Sequence, residues 1–224
     1  YSILVRKSTT NVNGINLSKN VTHSLNVRLQ GSNAAAGGFN LLTSLGTFTA
    51  GSGSRANTGS TQLTHTAPRG MDAFGDTSWT FDFKAPNSVG SVTFNVCGNP
   101  VNLSTDETGD GRVGGVCTVA TATLFNDPPV ADDETSGQIG TVSEDGTRNI
   151  FDSTLLTGDE DINGDTMSVT GSGSVTAGVT LTDNGSFFTY NPNDVFDYLD
   201  DTETATDSFT YTLSDGFKTD TGLV

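Results

Sequence analysis

The chain has 224 residues, 10 Lys and Arg against 26 Asp and Glu, and a formal charge of −16 at pH 7. The acid sits in one half: residues 1–125 carry eight basic and six acidic side chains, a balance of +2, and residues 126–224 carry two and 20, a balance of −18. Nucleic acid is thereby excluded as a natural partner, because phosphate binding needs clustered Lys and Arg, and with no run of about 18 apolar residues a helical membrane span is excluded too.

The length suits two domains, each able to bury its own core. No segment sustains an apolar period of 3.6 residues, so the expected class is all-β, with two tandem immunoglobulin-like β-sandwich domains. Tyr1-Ser2-Ile3-Leu4-Val5-Arg6 opens the chain as an apolar strand. It reads either as the first strand of its own domain or as a strand in which Tyr1, Ile3, Leu4 and Val5 pair with an open edge of a neighbouring copy, joining copies head to tail. Residues 24–29, 79–83 and 92–96 alternate with strict period two. Gly51-Ser52-Gly53-Ser54 and similar runs between them read as loops on the sandwich rim.

Trp79, Phe81 and Phe83 share one strand face, which reads as core in preference to a sugar-stacking platform. Cys97 and Cys117 flank the loop-like Asp106–Gly111 stretch and are expected to form a disulfide, closing a loop of roughly 20 residues. A bridge of this kind places the chain outside the cytoplasm.

At Phe125-Asn126-Asp127-Pro128-Pro129-Val130 the charge balance changes, and two prolines forbid a central strand while favouring extended backbone. The domain boundary is placed there, giving domains 1–125 and 126–224. Strands follow at 167–170, 179–182, 187–190 and 208–213, with Asp183-Asn184-Gly185-Ser186 as a hairpin turn. The last strand, near 221–224, reads as a shortened edge.

Asp159-Glu160-Asp161-Ile162-Asn163-Gly164-Asp165 is the strongest chemical signal. Oxygen side chains at alternate positions, then a Gly for a sharp turn, let a short loop wrap a hard cation. Asp159, Asp161, Asn163 and Asp165 are the candidate Ca2+ ligands from this loop. The spacing reproduces the first half of an EF-hand loop, but the twelfth position is Thr170 and no helices flank it, so further ligands must come from elsewhere. Asp127, Asp132, Asp133, Glu144 and Asp145 cluster at the start of the second domain and are candidates. The competing reading is a solvated acidic turn, as it is for the run Asp194, Asp197, Asp200, Asp201 and Glu203.

Two histidines, His23 and His65, with no nucleophile elbow and no phosphate-binding Gly loop, leave no catalytic arrangement, so no enzyme is expected. Asn16, Asn20, Asn102 and Asn184 begin Asn-x-Ser/Thr sequons, as chance also produces in a Ser/Thr-rich chain.

From Asn126-Asp127-Pro128-Pro129-Val130-Ala131-Asp132-Asp133 through Ser143-Glu144-Asp145-Gly146-Thr147, Gly158–Asp161, Gly164-Asp165, Asn184-Gly185, Tyr190-Asn191-Pro192 and Asp207–Tyr211 to Ser214-Asp215-Gly216, the chain resembles the cadherin-like tandem repeats of large bacterial surface adhesins. That resemblance implies an immunoglobulin-like sandwich, calcium at domain junctions, adhesion or extracellular scaffolding, and Asp127, Glu144, Asp159, Asp161 and Asp215 as ligands. Residues 1–125 resemble the reelin-type, anchor-associated domain of secreted bacterial proteins, in Thr64-His65-Thr66, Trp79-Thr80-Phe81, Lys84-Ala85-Pro86 and Val92-Thr93-Phe94. The resemblance implies surface display without catalysis.

The expectation is an extracellular, cell-surface structural or adhesive protein rigidified by calcium. It would act as a fragment of a long adhesin or as the subunit of a filament, with copies of itself or neighbouring domains as partners. The alternative is a module binding a glycan or cell-surface ligand through rim loops of the first domain.

Overall fold

The structure is a computed structural model that describes residues 2–30, 35–101 and 116–224, apart from the side chains of Pro100 and Val101. The chain forms two compact units, Tyr1–Phe125 and Asn126–Val224. Both are immunoglobulin-like all-β sandwiches.

In the first unit the strands are β1 (Ser2–Lys7), β2 (Thr10–Asn11), β3 (Asn16–Ser18), β4 (Thr22–Gln30), β5 (Ala36–Thr43), β6 (Thr47–Thr49), β7 (Ser54–Ala56), β8 (Gln62–His65), β9 (Arg69–Gly70), β10 (Thr77–Lys84), β11 (Gly90–Val101) and β12 (Val116–Phe125). One sheet has the order β2-β1-β4-β10-β6; the other runs β3-β12-β11-β5-β8-β7, with β9 also on β5. Alternation explains which side chains the two sheets enclose: β10 reads buried, exposed, buried along its whole length, as period-two side chains require. Trp79, Phe81 and Phe83 are therefore core. Phe48 meets Phe81 edge-on at 5.4 Å, and Phe83 meets Phe94 in the same way at 5.0 Å, the geometry that the ring quadrupoles favour. His23 is also buried, with Nε2 hydrogen-bonded to the Ser18 carbonyl at 2.9 Å.

Strand β5 has no signature in the sequence because it begins Ala36-Gly37-Gly38. Its glycines serve close packing: a Cβ on Gly38 would lie 2.4 Å from the His65 ring. Cys97 and Cys117 are direct cross-strand partners on β11 and β12, and they are joined by a disulfide. Replacing both by Ser should destabilise this unit by about 3 kcal/mol through the freed unfolded chain, measured in the double variant as a lower urea midpoint with a slope at least as steep, because the freed chain exposes more surface on unfolding.

The second unit contains α1 (Ser136–Ile139), β13 (Arg148–Phe151), α2 (Asp152–Leu155), β14 (Ser168–Ser172), β15 (Thr180–Asp183), β16 (Phe187–Asn191), β17 (Thr210–Ser214) and β18 (Thr219–Leu223). Two three-stranded sheets, β13-β16-β15 and β14-β17-β18, close on Ile150, Leu155, Phe188, Phe209, Tyr211 and Leu213. Before them the extended segment through Val130 exchanges backbone hydrogen bonds with Glu160, at 2.8 and 3.0 Å. The final strand departs from the sequence expectation of a shortened edge. β18 pairs with β17 over its whole length, from Thr219↔Ser214 to Leu223↔Thr210. Its sequence Thr-Asp-Thr-Gly-Leu has one large apolar residue, so backbone pairing builds a strand that hydrophobic alternation does not announce.

Candidate metal centre

The loop after α2 is built from its own hydrogen bonds. The Asp161 carbonyl accepts the Gly164 N–H at 3.1 Å, with Gly164 at φ +71° in the left-handed region where glycine is at ease. The Asp165 N–H then donates to Asp161 Oδ1 at 2.9 Å. Asn163 points inward and is wholly buried. Its Oδ1 accepts the Asp127 N–H at 2.7 Å and its Nδ2 donates to Asp127 Oδ2 at 3.2 Å, tying the loop to the segment that leads into the unit.

Asp215 arrives from the turn between β17 and β18. Register places it there, because β14 begins just past Asp165 and pairs Ser168 with Ser214. Asp215 is 4% exposed. Its Oδ1 accepts the Phe217 and Lys218 N–H groups at 2.7 and 2.6 Å, and its Oδ2 accepts Asn126 Nδ2 at 2.6 Å. Burial pushes this carboxyl up, but the donors from Lys218, Phe217 and Asn126 outweigh it and hold the group below its ordinary value.

One carboxylate oxygen each from Asp161, Asp165 and Asp215 lies within 4.8 Å of the others. Ligands at about 2.3–2.6 Å from a single calcium ion stand at most about 4.6–5.2 Å apart, so the spacing suits one shared ion. At an effective dielectric constant of about 20, each pair of charges so placed repels by on the order of 3 kcal/mol. A bound cation reverses that sign. Asp161 Oδ2 and Asn126 Oδ1 are buried without a hydrogen-bond partner; buried acceptors of this kind need a donor or an ion. The donor set is all oxygen, which suits a hard cation such as Ca2+.

The other candidates lie elsewhere. Asp127 braces Asn163 but is outside the trio. Glu144 is exposed on the lining of a separate cavity of about 590 Å3, which also touches Glu134, Arg148 and Phe209. Sequence order had placed Glu144 near the start of the domain, but the chain between α1 and β13 carries it to that cavity. Asp159 turns away from the trio: its Oδ1 accepts the Tyr211 hydroxyl and the Asp132 N–H, each at 2.8 Å. Asp132, Asp133 and Asp145 are exposed, and Asp133 Oδ1 accepts the Leu223 N–H at 2.9 Å. Asp194, Asp197, Asp200, Asp201 and Glu203 are all exposed, a solvated acidic surface. Asn126, whose Nδ2 donates to Asp215, was missed by sequence reasoning. The Asn-Asp pair before the prolines was a signal for it.

Ile3 and Val5 of β1 are wholly buried, and β1 is paired with β4 through Ile3↔Leu29, Leu4↔Arg28 and Val5↔Val27. Donating this strand to another copy would empty part of its own core. Tyr1 and Asn102, like the Asp106–Gly111 stretch, lie outside the described residues. Asn16 and Asn184 are exposed and Asn20 is half-buried.

The acidic unit has a match of its own. Residues 126–224 match the family described as the bacterial Ig domain. No curated protein matches the chain. Among solved structures, it is similar to a DUF4466 family protein from Parabacteroides merdae, at 8% identity over 96% of this chain and 90% of that one, with a TM-score of 0.34. It is also similar to SSP-19, an MSP-domain protein like family member from Caenorhabditis elegans, at 12% identity over 50% of this chain and 91% of that one, with a TM-score of 0.26. A marsupial T cell receptor gives 10% identity over 100% of this chain and 61% of that one, with a TM-score of 0.24. Among the described residues, no helix is long and apolar enough to cross a membrane.

Proposed function

We propose that this chain is an extracellular, non-catalytic surface protein whose bacterial Ig unit is stiffened by calcium held at Asp161, Asp165 and Asp215. It serves as a rigid structural or adhesive element, linked to neighbouring domains of a longer chain or to copies of itself in a filament. The observation that carries this reading is the convergence of three carboxylates from two distant turns around orphaned oxygens. Asn163 and Asp127 add mechanical sense: ligands on the loop are tied to the segment through which load would enter the unit. Surface placement rests on the family match and on the cross-strand disulfide, a bond that persists in oxidising surroundings. With β1 locked in its own sheet, head-to-tail joining by that strand would need it to leave first.

The test is calorimetric titration of calcium into wild type and Asp165→Asn. The variant keeps the shape and loses a charge, and its affinity at this site should fall at least about tenfold, a loss of roughly 1.4 kcal/mol. Equal affinity in both proteins would remove the reading.

A further inference from the structure

The cavity of about 590 Å3 that Glu144 lines opens between the edges of the two sheets of the bacterial Ig unit: Arg148 and Ile150 come from β13, and Leu223 from the end of β18. Its walls are mostly apolar, with Ile139, Val142, Phe196, Leu199 and Phe209 joining Ile150, and its size is that of an ordinary ligand site. The strand beside it is open as well. β13 pairs with β16 on one side, and among the described residues no backbone hydrogen bond reaches it on the other. Four residues of free edge over a filled core would be an ordinary blunted margin. Beside a cavity, the same edge offers backbone donors and acceptors together with room for side chains, which is what an added strand needs. The lining is also acidic, with Glu134, Glu144, Glu203 and Asp207 against Arg148 alone. Arg148 itself turns one guanidinium nitrogen to the Thr141 carbonyl at 3.3 Å.

We infer that this cavity and the free edge of β13 are the docking site for an extended, basic segment of another protein. The segment adds a strand to β13, places alternate apolar side chains between the sheets and sets Lys or Arg against the acidic rim. Backbone pairing supplies affinity, and the cavity selects the side chains. Charge favours such an occupant over a second copy of this chain, whose net charge is −16, because like charge opposes self-association. A small apolar molecule would fill the cavity and leave the strand edge unpaired. Asp161, Asp165 and Asp215 are not among the lining residues, so the site is separate from the calcium reading and does not depend on it. Sequence spacing does not show it, since the lining comes from segments as far apart as Glu134 and Leu223 and only folding joins them.

The test uses the full chain in calcium-containing buffer and a pool of dye-labelled synthetic peptides of about six residues, an ordinary strand length. Each alternates an apolar residue (Val, Ile, Leu or Phe) with Thr and carries Lys at both ends. One control pool has Glu in place of Lys; another has Pro at a central Thr, which removes a backbone donor. Fluorescence anisotropy should show saturable, salt-sensitive binding of Lys peptides, with both control pools at least about tenfold weaker. Amide exchange across Arg148–Phe151 should slow in the complex. Ala205 is exposed and lines the cavity, so Ala205→Trp narrows it without entering the core; binding should fall by a similar factor while the melting midpoint stays where it was. No saturable binding by any Lys peptide, equal binding of the Glu pool, or binding that leaves exchange at β13 unchanged overturns the inference. Oligomers of the chain alone that slow exchange at the same strand would give the site to a second copy and overturn the proposed occupant.

Discussion

Chelating calcium is expected to lower the melting midpoint of the acidic second unit by about 10–20 °C while the first unit melts where it did before. The magnitude follows from mass action. An ion present at about 100 times its dissociation constant stabilises the folded state by about 2.7 kcal/mol, and each kcal/mol moves the midpoint of a domain this size by about 4–8 °C. The selectivity follows from charge: the −18 balance lies past residue 125, and the Asp161, Asp165 and Asp215 oxygens lie within 4.8 Å of one another. Without the ion, that repulsion falls on a small core of six buried side chains. Differential scanning calorimetry with and without chelator reads both units at once. Coincident traces in the two conditions would mean that the carboxylates coexist without metal.

The second large effect belongs to the first unit. Trp79→Ala is expected to cost about 3–5 kcal/mol, the range for emptying an aromatic site in a close-packed core. Trp79 is completely buried, its ring 4.9 Å from that of Phe39 and 5.7 Å from the Arg69 guanidinium carbon. Trp79→Phe should cost much less. It leaves a smaller cavity, and it removes an indole N–H that is buried without a partner, relieving a penalty of about 1–3 kcal/mol. Urea unfolding of both variants measures the difference. Equal losses would show that the indole N–H is not penalised where it sits.

The two expected effects fall on different units because the units differ in core size and in charge. Paired sheets of the first unit enclose a large aromatic core, including Phe48, Phe81, Phe83 and Phe94. The second unit encloses fewer side chains and carries most of the acid. In the proposed function, bound cations would offset there what apolar area does not supply.

Much of this was legible in the chain before folding. Period-two alternation marks β4, β10 and the middle of β11 because a pleated strand sends successive side chains to opposite faces. The Asp159–Asp165 stretch announces a turn rich in oxygen, because Asn163-Gly164 suits the left-handed backbone that closes it. β5 stayed hidden, since glycines chosen for close approach carry no apolar signal. β18 looked shortened, since an edge strand held by backbone pairing needs few apolar side chains.

The sequence by itself determined the all-β class, the acid asymmetry and the local turns, each being set by neighbours along the chain. Tertiary structure alone decided which oxygens meet. The Ser168↔Ser214 register brings Asp215 to Asp161 and Asp165, while Glu144 is carried to another cavity and Asp159 turns toward Tyr211. A coordination site depends on distances through space, and spacing along a chain constrains those distances only within a single turn.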